Sequence, residues 1–112
     1  MHPTASPYLL VFSTCPDIAS ARRIAGALVR ERLAACVNVV QGVTSVYQWQ
    51  QRLHEEAECL LLIKTRREHF ATLQTRLPEL HPYELPELVA VPLDAGLPGY
   101  LKWIDDCVLP TC

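Results

Sequence analysis

No two cysteines in this chain form a C-x-x-C pair. The five present (Cys15, Cys36, Cys59, Cys107 and Cys112) are odd in number and widely spaced, which excludes a zinc ribbon and a disulfide framework and leaves free thiols in a reducing compartment. No apolar run approaches the roughly 20 residues a membrane span needs. The start, MHPTASPY, lacks the charged-then-apolar pattern of a secretory signal, so a cytoplasmic location is expected. Charge of one sign is also missing. Ten basic side chains stand against twelve acidic ones, the basic ones scattered in pairs such as Arg22-Arg23 and Arg66-Arg67, and no stripe is offered to a nucleic-acid backbone. G-x-x-x-x-G-K, G-x-S-x-G and H-E-x-x-H are absent, which leaves NTPase, serine hydrolase and zincin chemistry without support.

What is present is half apolar over 112 residues, enough for one core and too little for two, so residues 1–112 are taken as a single domain with 1–7 as a loose tail. YLLVFST (8–14), ended by Pro16, predicts a first strand buried on both faces. Ile18, Ala21, Ile24, Leu28 and Leu33 then recur with helical period, opposite Arg22, Arg23, Arg30 and Glu31. CVNVVQGVTSVYQWQ (36–50) reads as one long strand with Val37, Val39, Val43, Tyr47 and Trp49 at one parity, and Gly42 marks a bulge or bend. A turn near 51–54 leads to a strand over 56–65. A second helix from Arg66 carries Phe70, Leu73, Leu77 and Leu80, and Pro78 predicts a kink or an end near Leu77. Residues 87–93 form the fourth strand and Pro98 opens a terminal helix. The order β-α-β-β-α-β plus a last helix is that of an α+β, ferredoxin-like domain with a long hairpin.

That hairpin bears on assembly. A strand of about 15 residues spans roughly 46 Å, whereas a compact chain of this length is roughly 34 Å across. Part of the hairpin must overhang its core, and that part bears Val43, Val46, Tyr47 and Trp49. Such an edge pairs with something, and a homo-oligomer is expected.

HPYELPE (81–87) is the other distinctive stretch. Pro82 and Pro86 fix φ and hold the residues before them extended, so Tyr83 and Glu84 stand on a stiff corner. His81 is a competent copper or zinc ligand, or else a hydrogen-bonded closure of the second helix. Cys36 is a soft thiolate ligand if a positive neighbour such as Lys64 or Arg66 lowers its pKa, or else a small buried hydrophobe. His54, in the hairpin turn, and His69, beside Glu68, are assigned to solvent.

ERLAACVNVV (31–40), GVTSVYQWQ (42–50), LLLIKTR (60–66) and HPYELPE (81–87), in this order, together with YLKWI (100–104), resemble the CutA divalent-ion tolerance family over most of the chain from Tyr8 to Val108. The resemblance implies a ferredoxin-like subunit in a tight homotrimer, an architecture shared with PII signalling proteins, and a non-enzymatic link to copper or another divalent cation. Some members hold copper on a strand cysteine before Thr-x-Pro and on two histidines before Pro-Tyr. Here those positions are Ser13, Leu80 and His81, with Cys15 two residues after the first. The resemblance also implies a cavity between subunits lined by Cys36, Tyr47, Trp49, Lys64, His81, Tyr83, Glu87 and Trp103; by their own chemistry Cys36 and His81 are its expected metal ligands, and the others form a ligand pocket.

Two other readings come from the fold. A PII-like sensor would take a nucleotide or small anion near Lys64 and Arg66. An acylphosphatase-like enzyme would use the glycine of VVQGV (39–43), although the arginine that chemistry needs beside the glycine is missing.

Overall fold

A computed structural model describes residues 5–108 and 110. The elements are β1 (Tyr8–Cys15), α1 (Ile18–Arg30), β2 (Cys36–Trp49), β3 (Arg52–Arg66), a 3-10 turn (Arg67–His69), α2 (Phe70–Leu80), β4 (Val89–Pro92) and α3 (Pro98–Cys107). One four-stranded sheet runs in the order β2-β3-β1-β4, with every pairing antiparallel. Residues 1–4 of the expected loose tail, and Cys112, lie outside the described residues. The next residues are anchored, since the Pro7 carbonyl accepts from the Arg67 amide at 2.7 Å and the Ser6 carbonyl from Arg67 Nε at 2.8 Å.

α1 starts where Asp17 takes the Ser20 amide on Oδ1 at 2.7 Å, satisfying one of the free donors of the first turn. Its stripe of Ala21, Ile24 and Leu28 packs with Leu73 and Leu77 of α2 against Leu9, Val11 and Cys15 of β1 and Cys59, Leu61 and Ile63 of β3. Only that face of β1 is fully covered. Its residues alternate buried and half-buried, so the expectation of burial on both faces is corrected: α3 seals one end of the other face through Ile104, Val108 and Ala35 against Tyr8. Arg32, at φ 60°, fastens α3 by donating from its guanidinium to the carbonyls of Asp106 and Cys107, each at 3.1 Å.

α2 does not stop at Pro78 but runs on to Leu80, and the His81 amide still reaches the Leu77 carbonyl at 3.0 Å. Proline removes one donor there, and the fully buried Leu73 and Leu77 hold the helix on the core regardless. β4 is four residues long, at the sheet edge, where Pro92 costs no internal ladder bond.

The hairpin differs from expectation in three ways. Its turn is Gln50-Gln51, both at positive φ (52° and 65°), a two-residue connection of the kind that matches strand twist. His54 therefore lies in β3, stacked on Tyr47 with ring centroids 5.2 Å apart. Between Val40 and Val43 the register slips around Gly42, at φ 80°, and the extra residue turns the rest of the strand over to the other face. Val37 and Val39 lie opposite Ile63 and Leu61 on the helix side, whereas Val43 and Tyr47 lie opposite Glu58 and His54 on the open side. The single parity read from the sequence is broken by that bulge.

β1 pairs with β3 only as far as Cys59, so β3 from Arg52 to Glu58 and its partner in β2 run on beyond the sheet. The radius of gyration is 14.9 Å, above the roughly 13 Å of a compact chain this long. The overhang is a property of the fold.

Candidate functional site

The segment 81–88, between α2 and β4, lies beside the overhanging hairpin, and the notch between them is a cavity of about 710 Å³. Its walls include Tyr47 and Trp49 from β2, Glu58 from β3, and Tyr83, Glu84 and Glu87 from the proline-fixed segment. His81 is the anchor of that segment. Its Nδ1 accepts the Tyr83 amide at 3.0 Å, which leaves the proton on Nε2 to be donated to the Thr14 carbonyl at 2.7 Å. The ring is buried, its backbone extended before Pro82 (ψ 139°), as the residue before a proline must be. The Ser13 hydroxyl fixes the far end by donating to the Glu87 carbonyl at 2.7 Å. Serine at the position of the expected copper-binding cysteine is thus a structural clamp.

From this corner the Tyr83 hydroxyl donates to Glu58 Oε2 at 2.7 Å. Burial, and then the Glu58 carboxylate, push the Tyr83 phenol well above its ordinary value, so it remains a donor throughout the physiological range. Tyr47 is raised for like reasons, burial first and then Glu56.

Cys15 is a thiol that the expected site residues left out. It is fully buried, directly opposite Cys59, with Sγ 3.8 Å from His81 Nε2. Burial, followed by the neighbouring Cys59 and Glu58, raises its pKa to about 11, which keeps it protonated. Its position beside Pro16, at the end of a strand whose buried face it shares, was the signal.

The other expected residues gather elsewhere. Cys36 lies opposite Lys64 at the start of β2, with Lys64 Nζ 3.9 Å from Cys36 Sγ and hydrogen-bonded to Asn38 Oδ1. Tyr100 and Trp103 of α3 pack together at 5.4 Å, and burial, then the Cys36 thiol, raise Tyr100. Arg66, the other cation considered for Cys36, is bound to Glu68 at 2.6 Å and to Asp105. Five residues of β3 separate Lys64, opposite Cys36, from Cys59, opposite Cys15 beside His81, a distance of about 16 Å. One chain therefore brings together Tyr47, Trp49, Tyr83 and Glu87, with His81 behind them, and separately Cys36, Lys64 and Trp103. Among the described residues no group of three or more His, Cys, Asp or Glu side chains is placed to hold a metal ion.

His69, assigned to solvent from the sequence, is buried, and its Nε2 is the one buried side-chain polar atom without a partner among the described residues. Its 3-10 turn rolls it inward, a rotation that the helical pattern did not reveal.

The profile of the CutA1 divalent ion tolerance protein family matches residues 9–107. The chain is 50% identical over 95 residues to the divalent-cation tolerance protein CutA of Thermus thermophilus, covering 85% of this chain and 92% of that one. To the protein CutA homolog of Xenopus laevis it is 44% identical over 97 residues, 87% of this chain but only 64% of the relative, so it spans less than two thirds of that protein's length. The crystal structure of CutA from Xylella fastidiosa superposes with a TM-score of 0.89 at 50% identity, covering 92% of this chain and 99% of that one.

Proposed function

The chain belongs to the CutA1 divalent ion tolerance family, and from that premise we propose that it serves divalent-cation tolerance as a non-enzymatic homotrimer, taking a metal ion such as copper, or a small ligand, in clefts between copies. The observation that carries this reading is the division of the expected site into two clusters on one chain, with the strand positions beside Cys36 and beside His81 about 16 Å apart along β3. A single cleft lined by both requires the notch of one copy to meet the Cys36 cluster of another.

The exposed apolar surface supports the same arrangement. Val46 is 60% exposed, Trp49 49% and Leu53 72%, and each such side chain gains about 1.5–3 kcal/mol on burial. Val40, Val89 and Val91 are exposed too, on the sheet face that α1 and α2 leave open. A solitary chain would leave this surface in water, and association of identical copies covers it.

The reading is tested by copper titration of the assembly. Cys36→Ser and His81→Asn are each expected to weaken binding, and mixed oligomers of Cys36→Ser and Trp49→Ala chains to recover a fraction of intact clefts. Undiminished binding in both single variants would show that the ligands lie elsewhere.

A sensor that takes a nucleotide or anion finds less support. Arg66 is committed to Glu68 and Asp105, which leaves Lys64, bonded to the neutral Asn38 amide, as the one cation of the two to meet a phosphate.

A further inference from the structure

The open face of the sheet carries opposite charges at its two ends. Along β3 the side chains on that face are Glu58, Leu60, Leu62 and Lys64, at alternate positions. Phe12 lies across from Leu62 and from Val89, and Val40 across from Leu60, so the stretch between the two charges is apolar. Lys64 stands six positions beyond Glu58, about 20 Å along the strand. Within one chain the two charges do not meet.

Each of them is unmatched in its own chain. Glu58, in the wall of the notch, is only 7% exposed, and its one hydrogen-bond partner among the described residues is the Tyr83 hydroxyl. Burial, and then Glu58 itself, raise the Tyr83 phenol, so that donor is neutral, and a buried carboxylate without positive charge is unfavourable. Lys64, half-buried, meets the neutral Asn38 amide and the Cys36 thiol. Neither group has an ion-pair partner among the described residues. The other basic side chains are committed or stand elsewhere. Arg66, Arg76 and Lys102 hold carboxylates, and Arg23, Arg32 and Arg67 donate to carbonyls. Arg22 and Arg30 are exposed on α1, across the sheet from the open face. That leaves Arg52, exposed at the hairpin turn, and Lys64, the one of the two that is half-buried beside the apolar stretch.

We propose that Glu58 of each copy forms an ion pair with Lys64 of the partner subunit, and that this pair closes the shared cleft. This deepens, and rests on, the reading of the notch as a cleft between copies. A face with its acid at one end and its base at the other repeats head to tail: each copy offers Glu58 to one neighbour and Lys64 to the other, so every cleft of a closed ring holds one pair. The pair neutralises the buried carboxylate and seats Cys36, directly across the strand from Lys64, at the notch. The site is incomplete without the second copy.

The test is a double-mutant cycle on assembly of the full chain, with Lys64→Met and with Glu58→Gln, which keeps an acceptor for Tyr83. The readout is the rate at which unlabelled and isotope-labelled oligomers exchange subunits in sub-denaturing urea, followed by native mass spectrometry, with circular dichroism to verify each fold. Either single change leaves one buried charge unpaired and should speed exchange about tenfold or more. The double variant should exchange at about the rate of a single one, because residues about 20 Å apart in one chain act independently unless they meet across copies. Arg52→Met, the control, should stay within about twofold of the parent. Lys64→Glu, a change on the surface of the free chain, sets two carboxylates against each other and should release monomers detectable by light scattering. Effects that multiply in the double variant, a single variant that exchanges at the parent's rate, or a Lys64→Glu chain that stays fully assembled overturns the pair while the cleft reading stands. A parent chain that is itself a monomer at micromolar concentration overturns both.

Discussion

Tyr83→Phe removes one oxygen and leaves the ring in place. The lost hydroxyl is the donor to Glu58 Oε2 at 2.7 Å, and Glu58 is buried with no ion-pair partner among the described residues. A hydrogen bond to a charged group contributes about 1.5–3 kcal/mol, and stranding a buried acceptor costs toward the upper end of that range. Tyr83 is half-buried, so water can partly replace its hydroxyl, and the expected loss is about 1.5 kcal/mol. In a chain of this size that lowers the melting temperature by about 5–10 °C, measured by circular dichroism at one fixed protein concentration, because assembly makes the midpoint concentration-dependent. Glu58→Leu in the Tyr83→Phe background removes the stranded charge as well, so the double variant should lose less than the two single losses added together. If Tyr83→Phe unfolds within about 1 °C of the parent, or the two losses add, the Glu58–Tyr83 pair does not hold the proline corner against the hairpin, and the reasoning about the notch fails with it.

Four further outcomes are expected. Gly42→Ala has open space around the new methyl, so its cost is the positive φ alone, about 1–2 kcal/mol by denaturant unfolding; no loss would mean that the bulge is not held at that angle. Arg32→Ala frees the end of α3 and should speed hydrogen exchange at Val108, whose amide now bonds the Ile104 carbonyl, while leaving exchange at Leu61 unchanged. The Ser20 amide bonded to Asp17 holds that carboxyl below its ordinary value. Its contribution is therefore complete above about pH 4 and is lost as pH falls through the folded-state value, so acid unfolding between pH 5 and pH 2 (about 3 units) should be less steep in Asp17→Asn. The Cys15 thiol, fully buried with a pKa of about 11, should resist alkylation by iodoacetamide at neutral pH in the native protein and react once it is unfolded; rapid native labelling would refute its burial.

Periodicity and apolar runs together located the strands and α-helices of the described residues, because burial in a sheet covered by helices imposes its pattern on the residues. Helix α1 was legible from Ala21, Ile24 and Leu28, and β1 from its apolar run. What the pattern missed were places where local chemistry is overridden. Gln50-Gln51 carries no asparagine or glycine to announce a two-residue turn, yet the pairing of Trp49 with Arg52 forces one. Pro78 should end α2, but Leu77 and its neighbours hold it to the core. Gly42 signals a bulge or a bend in the sequence, and the outcome, a bulge with a change of face from Val39 to Val43, needs the partner strand to be known.

The site was legible in the same uneven way. Tyr47, Trp49, Tyr83 and Glu87 line one cavity within a single chain, and the prolines around Tyr83 are stiff enough for sequence to imply part of that geometry. Cys36, Lys64 and Trp103 do not reach it within one chain, and no pattern along the sequence encodes a distance across copies. His81 as a closure of α2 was one of two roles considered, and its two internal hydrogen bonds fill both ring nitrogens. A metal at His81 must therefore displace either the Thr14 carbonyl or the Tyr83 amide.

Light scattering coupled to size exclusion, at micromolar concentration, measures the mass on which the shared cleft depends. Three copies of a 12.6 kDa chain give about 38 kDa, the result expected if the notch of one copy meets the Cys36 cluster of another. A single peak at 12.6 kDa would contradict it, since the overhanging hairpin would then remain in water and the two clusters apart.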